Sequence, residues 1–325
     1  MIGIDHIWIL AIALCLDALF GDPETLWRRL RHPVVWIGDG VAAMERRLNQ
    51  KAWSPVWRRT AGAATLTIVV AASAAAGWII EAGFTQLPYG WIGVAICAAI
   101  LLAGRSLYDH VAAVATAFDA NGLPSARGAV ARIVGRDPAT LEEAGVCRAA
   151  IESAAENFSD GLVAPALWFA LLGLPGLAAY KAINTADSMI GHRSDRYRDF
   201  GWAAARVDDV VNLPASRLSG VLIAAAAPIV GGSVGHALRT MRTEAPKHRS
   251  PNAGWPEGAA ASALGVALAG PRRYRGILVD DPFVNPDGRR QATPTDIRRM
   301  LRLYLGAWGL LFAIVAILSG VILVR

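Results

Sequence analysis

Charge, lysine and cysteine are all scarce in this chain of 325 residues, and each shortage excludes something. Only 18% of the residues are charged, against about a quarter in soluble globular domains. Together with 54% hydrophobic residues, this rules out a disordered or fibrous chain and argues against a purely soluble enzyme. Three of the 32 cationic residues are lysines (Lys51, Lys181, Lys247), so 29 are arginines. No lysine follows a glycine, so the GxxxxGK phosphate loop is absent. No GxGxxG follows a strand pattern and there is no HExxH, which removes a dinucleotide fold and a zincin site. Cys15, Cys97 and Cys147 lie far apart with no CxxC or zinc spacing, and are expected to be buried packing thiols. The N-terminus lacks a basic n-region and a small-residue cleavage site, so no secretory signal peptide is expected.

What the chain does have is long uncharged runs. Residues 61–80, 82–104, 161–180, 218–235 and 303–324 carry no charge and span 18 to 23 residues each. A bilayer core takes about 20 apolar residues as a helix, so all five qualify by length. The N-terminal stretch 7–20 is interrupted by Asp17 and reads as a re-entrant or interfacial helix. The expected fold is all-α: one polytopic integral membrane domain, 1–325, with broken or re-entrant helices and cytoplasmic helical loops.

The net charge of +6 then reads as topology. Eight cations fall in 21–60 and 12 in 236–302, placing these segments, with 105–160, on the cytoplasmic side. The basic charges are split among loops with no basic helix or zinc finger, so no nucleic-acid partner is expected. Segment 181–217 holds six cations and would face outward if both flanking runs crossed. Those runs contain Gly173-Leu174-Pro175-Gly176 and Pro228 with Gly231-Gly232. Proline removes a helical hydrogen bond and clashes with the preceding turn, so both are expected to be broken and to keep 181–217 cytoplasmic. Gly231 and Gly235 have the GxxxG spacing of packed membrane helices, within one chain or in a homo-oligomer.

The polar residues cluster beside the apolar runs. Asp17, Asp22 and His32 form the first group, with Asp22-Pro23 also suited to a helix cap. Glu152, Glu156 and Asp160 recur every four residues, one acidic stripe on a helix. Such carboxylates at a membrane mouth are costly, and oxygen ligands suit magnesium. The densest group runs from Lys181 through Asn184, Asp187, Ser188, His192, Arg193 and Arg196 to Arg206, Asp208, Asp209 and Asn212. Asp208 and Asp209 cannot face one way on a helix, so one is expected to bind metal and the other to pair with an arginine. The arginines can grip phosphate or carboxylate by forked hydrogen bonds. Arg196, Arg198 and Asp199 equally suit a salt-bridged loop. The last group, Ser250-Pro251-Asn252-Ala253-Gly254-Trp255-Pro256-Glu257, reads as a turn.

Several of these stretches together resemble the CobD/CbiB family of adenosylcobinamide-phosphate synthases. They are DALFGDPETLWRRLRHPVVWIG, ESAAENFSDGLVAP, NTADSMIGHRSDRYRDFG, ARVDDVVNLPASRLSG and SPNAGWPEGAAASALGVALAG, in matching order over nearly the whole chain. The resemblance implies a multi-pass enzyme of the bacterial inner membrane. It would join a carboxylate of adenosylcobyric acid, a corrinoid, to (R)-1-amino-2-propanol O-2-phosphate or ethanolamine phosphate, consuming ATP with magnesium. On that implication, Glu156, Asp160, Asp187, Asp208 and Asp209 are the expected magnesium ligands. Glu152, Glu156 and Asp187, with His32 or His192 as base, are the expected catalytic groups. Lys181, Asn157, Asn184, Ser188, Arg193, Arg196, Arg206 and Asn252 would bind substrate or phosphate. Competing readings are a membrane transporter of a corrinoid or small solute, and a magnesium-dependent membrane transferase. Asp195 and Asp199 have the DxxxD spacing of the latter, but its companion motifs are missing.

Overall fold

The computed structural model describes residues 4–23, 27–134, 138–274, 277–279 and 281–323. The chain is all-α, with 12 helices of ten residues or more among the described residues. In chain order these are α1 (Ile4–Phe20), α2 (Pro33–Leu48), α3 (Pro55–Thr85), α4 (Gly90–Leu101), α5 (Gly104–Val130) and α6 (Glu143–Asn157). They continue as α7 (Ala164–Ile190), α8 (Trp202–Val211), α9 (Leu213–Ala226), α10 (Val234–Glu244), α11 (Gly254–Leu264) and α12 (Pro294–Leu323). A π-helical turn, Phe158–Val163, follows α6. Five helical stretches are long and apolar enough to cross a membrane: Pro55–Thr85, Gly90–Val130, Glu143–Ile190, Leu213–Val230 and Pro294–Val321. The protein is a polytopic membrane protein, and α1 is a shorter apolar helix. Cys147 is buried and Cys97 half-buried, but Cys15 is exposed on α1, contrary to the expectation of a packing thiol.

The chain forms two compact units. The first comprises Met1–Ala103, Ala164–Asn212 and Val315–Arg325. Its helix starts follow capping chemistry. Ser54 accepts from Trp57 N–H, with Pro55 in the first turn, where its missing N–H costs nothing. His32 caps α2 in the same way, accepting from Val34 N–H. Val41, Leu66, Val69, Ile183, Ile190 and Phe200 form a buried core that clamps α2, α3, α7 and the start of α8 together. Gly62 permits it: a Cβ there would lie 1.7 Å from the Phe200 carbonyl oxygen.

The expected break in run 161–180 is present. Gly173 leaves helical geometry at φ 67°, ψ −154°, and α7 resumes with Pro175 in its first turn. The Leu174 N–H released by the break donates to Glu81 Oε2 of α3 at 2.8 Å, and Glu81 Oε1 meets His6 Nε2 at 2.5 Å. Irregular backbone at membrane depth survives only where such partners exist. The second run is broken too, by a 3₁₀ turn at Ala227–Val230 that ends on Gly231 at φ 76°. Gly231 thus lies outside α10 and shares no helix with Gly235, so the two do not form a helix-packing GxxxG pair.

The second unit comprises Gly104–Val163 and Leu213–Ile314. Its centre is α11, buried from Pro256 to Leu264. Small residues allow this close packing: a Cβ on Gly258 would sit 3.1 Å from Met241 Cα. Two short antiparallel ladders join Leu268–Ala269 to Phe283–Val284 and Arg272–Tyr274 to Ile277–Val279. Arg299 anchors α12 to this unit, donating to Leu264 O and Val230 O, the orphan carbonyls of a helix end and a 3₁₀ turn.

Candidate functional site

In the first unit the C-terminal half of α7 presents Lys181, Asn184, Asp187 and Ser188 at three- and four-residue spacings, one face of a helix. Opposite lies α8 with Asp208, followed by Asn212. Asn212 is fully buried. Its Nδ2 donates to Asp208 Oδ2 at 3.0 Å and its Oδ1 accepts from Tyr180 O–H at 2.9 Å. Asp208 Oδ1 is buried and has no hydrogen-bond partner. Burial pushes the Asp208 carboxyl up to about 7, the nearby Asp187 charge adds to the shift, and the Asn212 and Asn184 amides offset part of it. Neither Asp187 nor Asp208 forms an ion pair with a described residue.

Asp209 behaves differently. Arg206 Nη1 lies 3.7 Å from its Oδ2, and burial raises its carboxyl against the opposing pull of Arg206 and Arg193. The adjacent aspartates thus point one to a buried pair and the other to arginine. Arg196 forks onto Glu45 of α2, with Nε and Nη2 each 2.8 Å from a carboxylate oxygen, and this holds the Glu45 carboxyl below its usual range. Arg59 engages Asp199 at 3.1 Å. Arg196 and Asp199 are therefore tied into the scaffold, while His192 and Arg193 are exposed. Both nitrogens of His32 are committed: Nδ1 accepts from Val34 N–H and Nε2 lies 3.1 Å from Ile100 O. Burial lowers the His32 pKa, so the cap is a neutral imidazole near pH 7.

The second unit holds the rest. The acidic stripe is not uniform: Glu152 is buried, Glu156 exposed and Asp160 half-buried in the π turn. Glu152 Oε1 accepts from Ala269 N–H at 2.8 Å, tying α6 to the first ladder. Asn157 donates to Ser153 O. Asn252 Oδ1 accepts from Ser216 Oγ and Arg217 Nη1, both at 3.0 Å, with Arg217 stacked on Trp255 at 4.7 Å. Glu156 also lines a cavity of about 230 Å³ with Glu244, Lys247, His248, Arg249, Glu257 and Asp281. Most of this cavity was invisible in the sequence. Its one local signal is the run Lys247-His248-Arg249 directly before the Ser250–Glu257 turn.

The expected magnesium ligands fall in both units, Asp187, Asp208 and Asp209 in the first and Glu156 and Asp160 in the second. Among the described residues no three His, Cys, Asp or Glu side chains are grouped to hold a metal. Magnesium does not demand such a cage, since it commonly takes one or two carboxylates with waters and substrate phosphates. The Asp187–Asp208 pair, with a buried orphan oxygen and no paired cation, fits that donor set.

Comparison with known proteins gives one consistent result. A protein from Sinorhizobium fredii named "Cobalamin biosynthesis protein CobD" is 50% identical over 319 residues, covering 97% of this chain and 98% of its own length. Proteins of the same name from Rhizobium meliloti and Rhodobacter capsulatus are 49% and 46% identical, covering 92% and 96% of this chain. They are covered over 92% and 98% of their own lengths. No solved structure matches the chain. The family model described as CobD/Cbib protein matches residues 10–304, and with nearly the whole length aligned to such relatives, this chain belongs to the CobD/Cbib family.

Proposed function

We propose that this protein acts in cobalamin biosynthesis as an adenosylcobinamide-phosphate synthase. It would be an ATP-dependent ligase that joins adenosylcobyric acid to an aminoalkyl phosphate, in the inner membrane with its site facing the cytoplasm. The observation that carries this reading is the buried Asp208 with its orphan carboxylate oxygen beside half-buried Asp187, on two family motifs and with no ion pair to a described residue.

A carboxylate and an amine do not condense in neutral water. The corrinoid carboxylate oxygen attacks the γ-phosphorus of ATP, the bond to ADP breaks, and an acyl phosphate results. The ammonium gives its proton to water, and the free amine then attacks the acyl carbon; the amide bond forms and inorganic phosphate leaves. Phosphoryl transfer is mainly positioning and charge stabilisation, and magnesium bound with ATP would supply the charge stabilisation. Asp187 and Asp208 would hold that ion, and Asn184 and Ser188 would orient the polar groups around it. Arg193, Arg206 and Lys181 offer donors for phosphate oxygens. Asn212 and Tyr180 keep Asp208 in place.

The test is direct. Purified protein is incubated with adenosylcobyric acid, ATP, magnesium and 1-amino-2-propanol phosphate, and product is followed by mass. ATP-dependent amide formation supports the ligase. Absence of product, with ATP-independent corrinoid uptake into proteoliposomes, would replace it with a transporter.

A further inference from the structure

We infer that the cavity of the second unit is the binding site for the aminoalkyl phosphate. This inference rests on the ligase reading for the identity of the ligand, but its site stands on separate residues. Size is the first argument. The cavity, about 230 Å³, falls below the roughly 300–1,000 Å³ of pockets that bury drug-sized ligands. 1-Amino-2-propanol phosphate has about nine heavy atoms, whereas ATP has about thirty and the corrinoid far more. Of the three substrates the smallest suits it best.

Charge is the second argument. The ligand carries an ammonium at one end and a dianionic phosphate at the other. The cavity presents both complements. Arg249 and Lys247 are exposed at its lining. Arg249 Nη1 stands 3.7 Å from Asp281, too far for a hydrogen bond, so its guanidinium donors stay open to a phosphate. Lys247 lies 2.8 Å from Glu244 and can share its charge with a second anion. Glu156 and Glu257 add carboxylates for the ammonium, and Glu257 is buried 3.6 Å from His248. Phe283 and Val284 supply an apolar wall for the carbon chain. Glu156 lies in the candidate span Glu143–Ile190, whereas the lining residues Glu244, Lys247, Arg249, Glu257, Phe283 and Val284 lie outside the candidate spans, where a water-borne ligand can arrive.

The experiment uses the full-length protein in detergent, without ATP or corrinoid. Calorimetry measures binding of 1-amino-2-propanol phosphate, of inorganic phosphate and of 1-amino-2-propanol. The wild type should bind the first saturably and the other two at least about tenfold more weakly, since each offers only one charged end. Lys247→Met and Arg249→Gln, both at exposed positions, should each weaken the amine phosphate by about tenfold. Glu257→Gln should weaken the amine phosphate by a similar factor and leave inorganic phosphate unchanged. Wild-type affinity in both Lys247→Met and Arg249→Gln, or no binding by the wild type, overturns the site. The two claims fail separately. Ligation with an unchanged KM for the amine phosphate in these variants removes the site and keeps the ligase. Charge-dependent binding by a protein that forms no amide keeps the site and removes the ligase.

Discussion

The two units solve opposite electrostatic problems. In the first, buried Asp208 lies near half-buried Asp187, with no ion pair from a described residue to either. In the second, Lys247, His248 and Arg249 each stand within 4 Å of a carboxylate around the cavity. A buried unpaired carboxylate costs stability, and a chain tolerates that cost where the group has work to do. A cavity whose cationic side chains each have a carboxylate at hand costs less when empty and can exchange those partners for a charged ligand. The contrast separates a site awaiting a cation from a site awaiting a zwitterion.

The largest expected effect tests the first half of that contrast. Asp187→Ala should lower the ligase rate by roughly 10²–10³-fold, as for loss of a group stabilising phosphoryl charge. Asp209→Ala should cost much less, because Asp209 is paired with Arg206. Equal losses in steady-state assays would erase the distinction between the adjacent aspartates.

The next effect concerns stability. Each unit contains a Gly-Leu-Pro break of nearly the same geometry, Gly173 at φ 67°, ψ −154° and Gly122 at φ 67°, ψ −157°. Around Gly173 a Cβ would lie 2.5 Å from Glu81 Oε2 and 2.7 Å from the His6 ring, whereas nothing lies within 4 Å at Gly122. Gly173→Ala should therefore destabilise by about 3 kcal/mol, strain plus overpacking. Gly122→Ala should cost about 1 kcal/mol from backbone strain alone. Thermal unfolding in detergent checks the order, and the reverse order would contradict the packing described here.

A smaller effect follows from pH. The Asp208 carboxyl is raised in the folded protein from an ordinary 3.8 to about 7, first by burial and then by Asp187. Its contribution to stability is therefore complete below about pH 4 and is lost as pH rises through about 7. Asp208→Asn removes that loss, so its gain in Tm over the wild type should be larger at pH 8 than at pH 5.5. Magnesium at pH 8 should shrink the gain by stabilising the wild-type carboxylate. A gain independent of pH and magnesium would mean that Asp208 is not the ionised ligand.

Local chemistry was legible in the sequence, and distant pairing was not. The apolar runs announced the spans, and Gly173-Leu174-Pro175 announced the break in α7, because proline and glycine act on their own turn. The divergence of Asp208 and Asp209 followed from helix geometry alone. The partners could not be read. Glu81 reaches Leu174 across 93 positions, and Arg196 reaches Glu45 across 151, so neither pairing leaves a spacing signal. His32 illustrates the cost of that: its Asp neighbours suggested chemistry, whereas both ring nitrogens serve the scaffold. The cavity is the extreme case, since α6, the end of α10 and strand Phe283–Val284 must fold together before Glu156, Glu244 and Phe283 meet.

The measurement closest to the central claim pairs activity with stability in one variant, Asp208→Asn, at saturating ATP, magnesium and both other substrates. The account predicts a protein at least as heat-stable as the wild type whose rate of ATP-dependent amide formation falls by about 100-fold or more. A stable variant that forms the amide at close to the wild-type rate would contradict it.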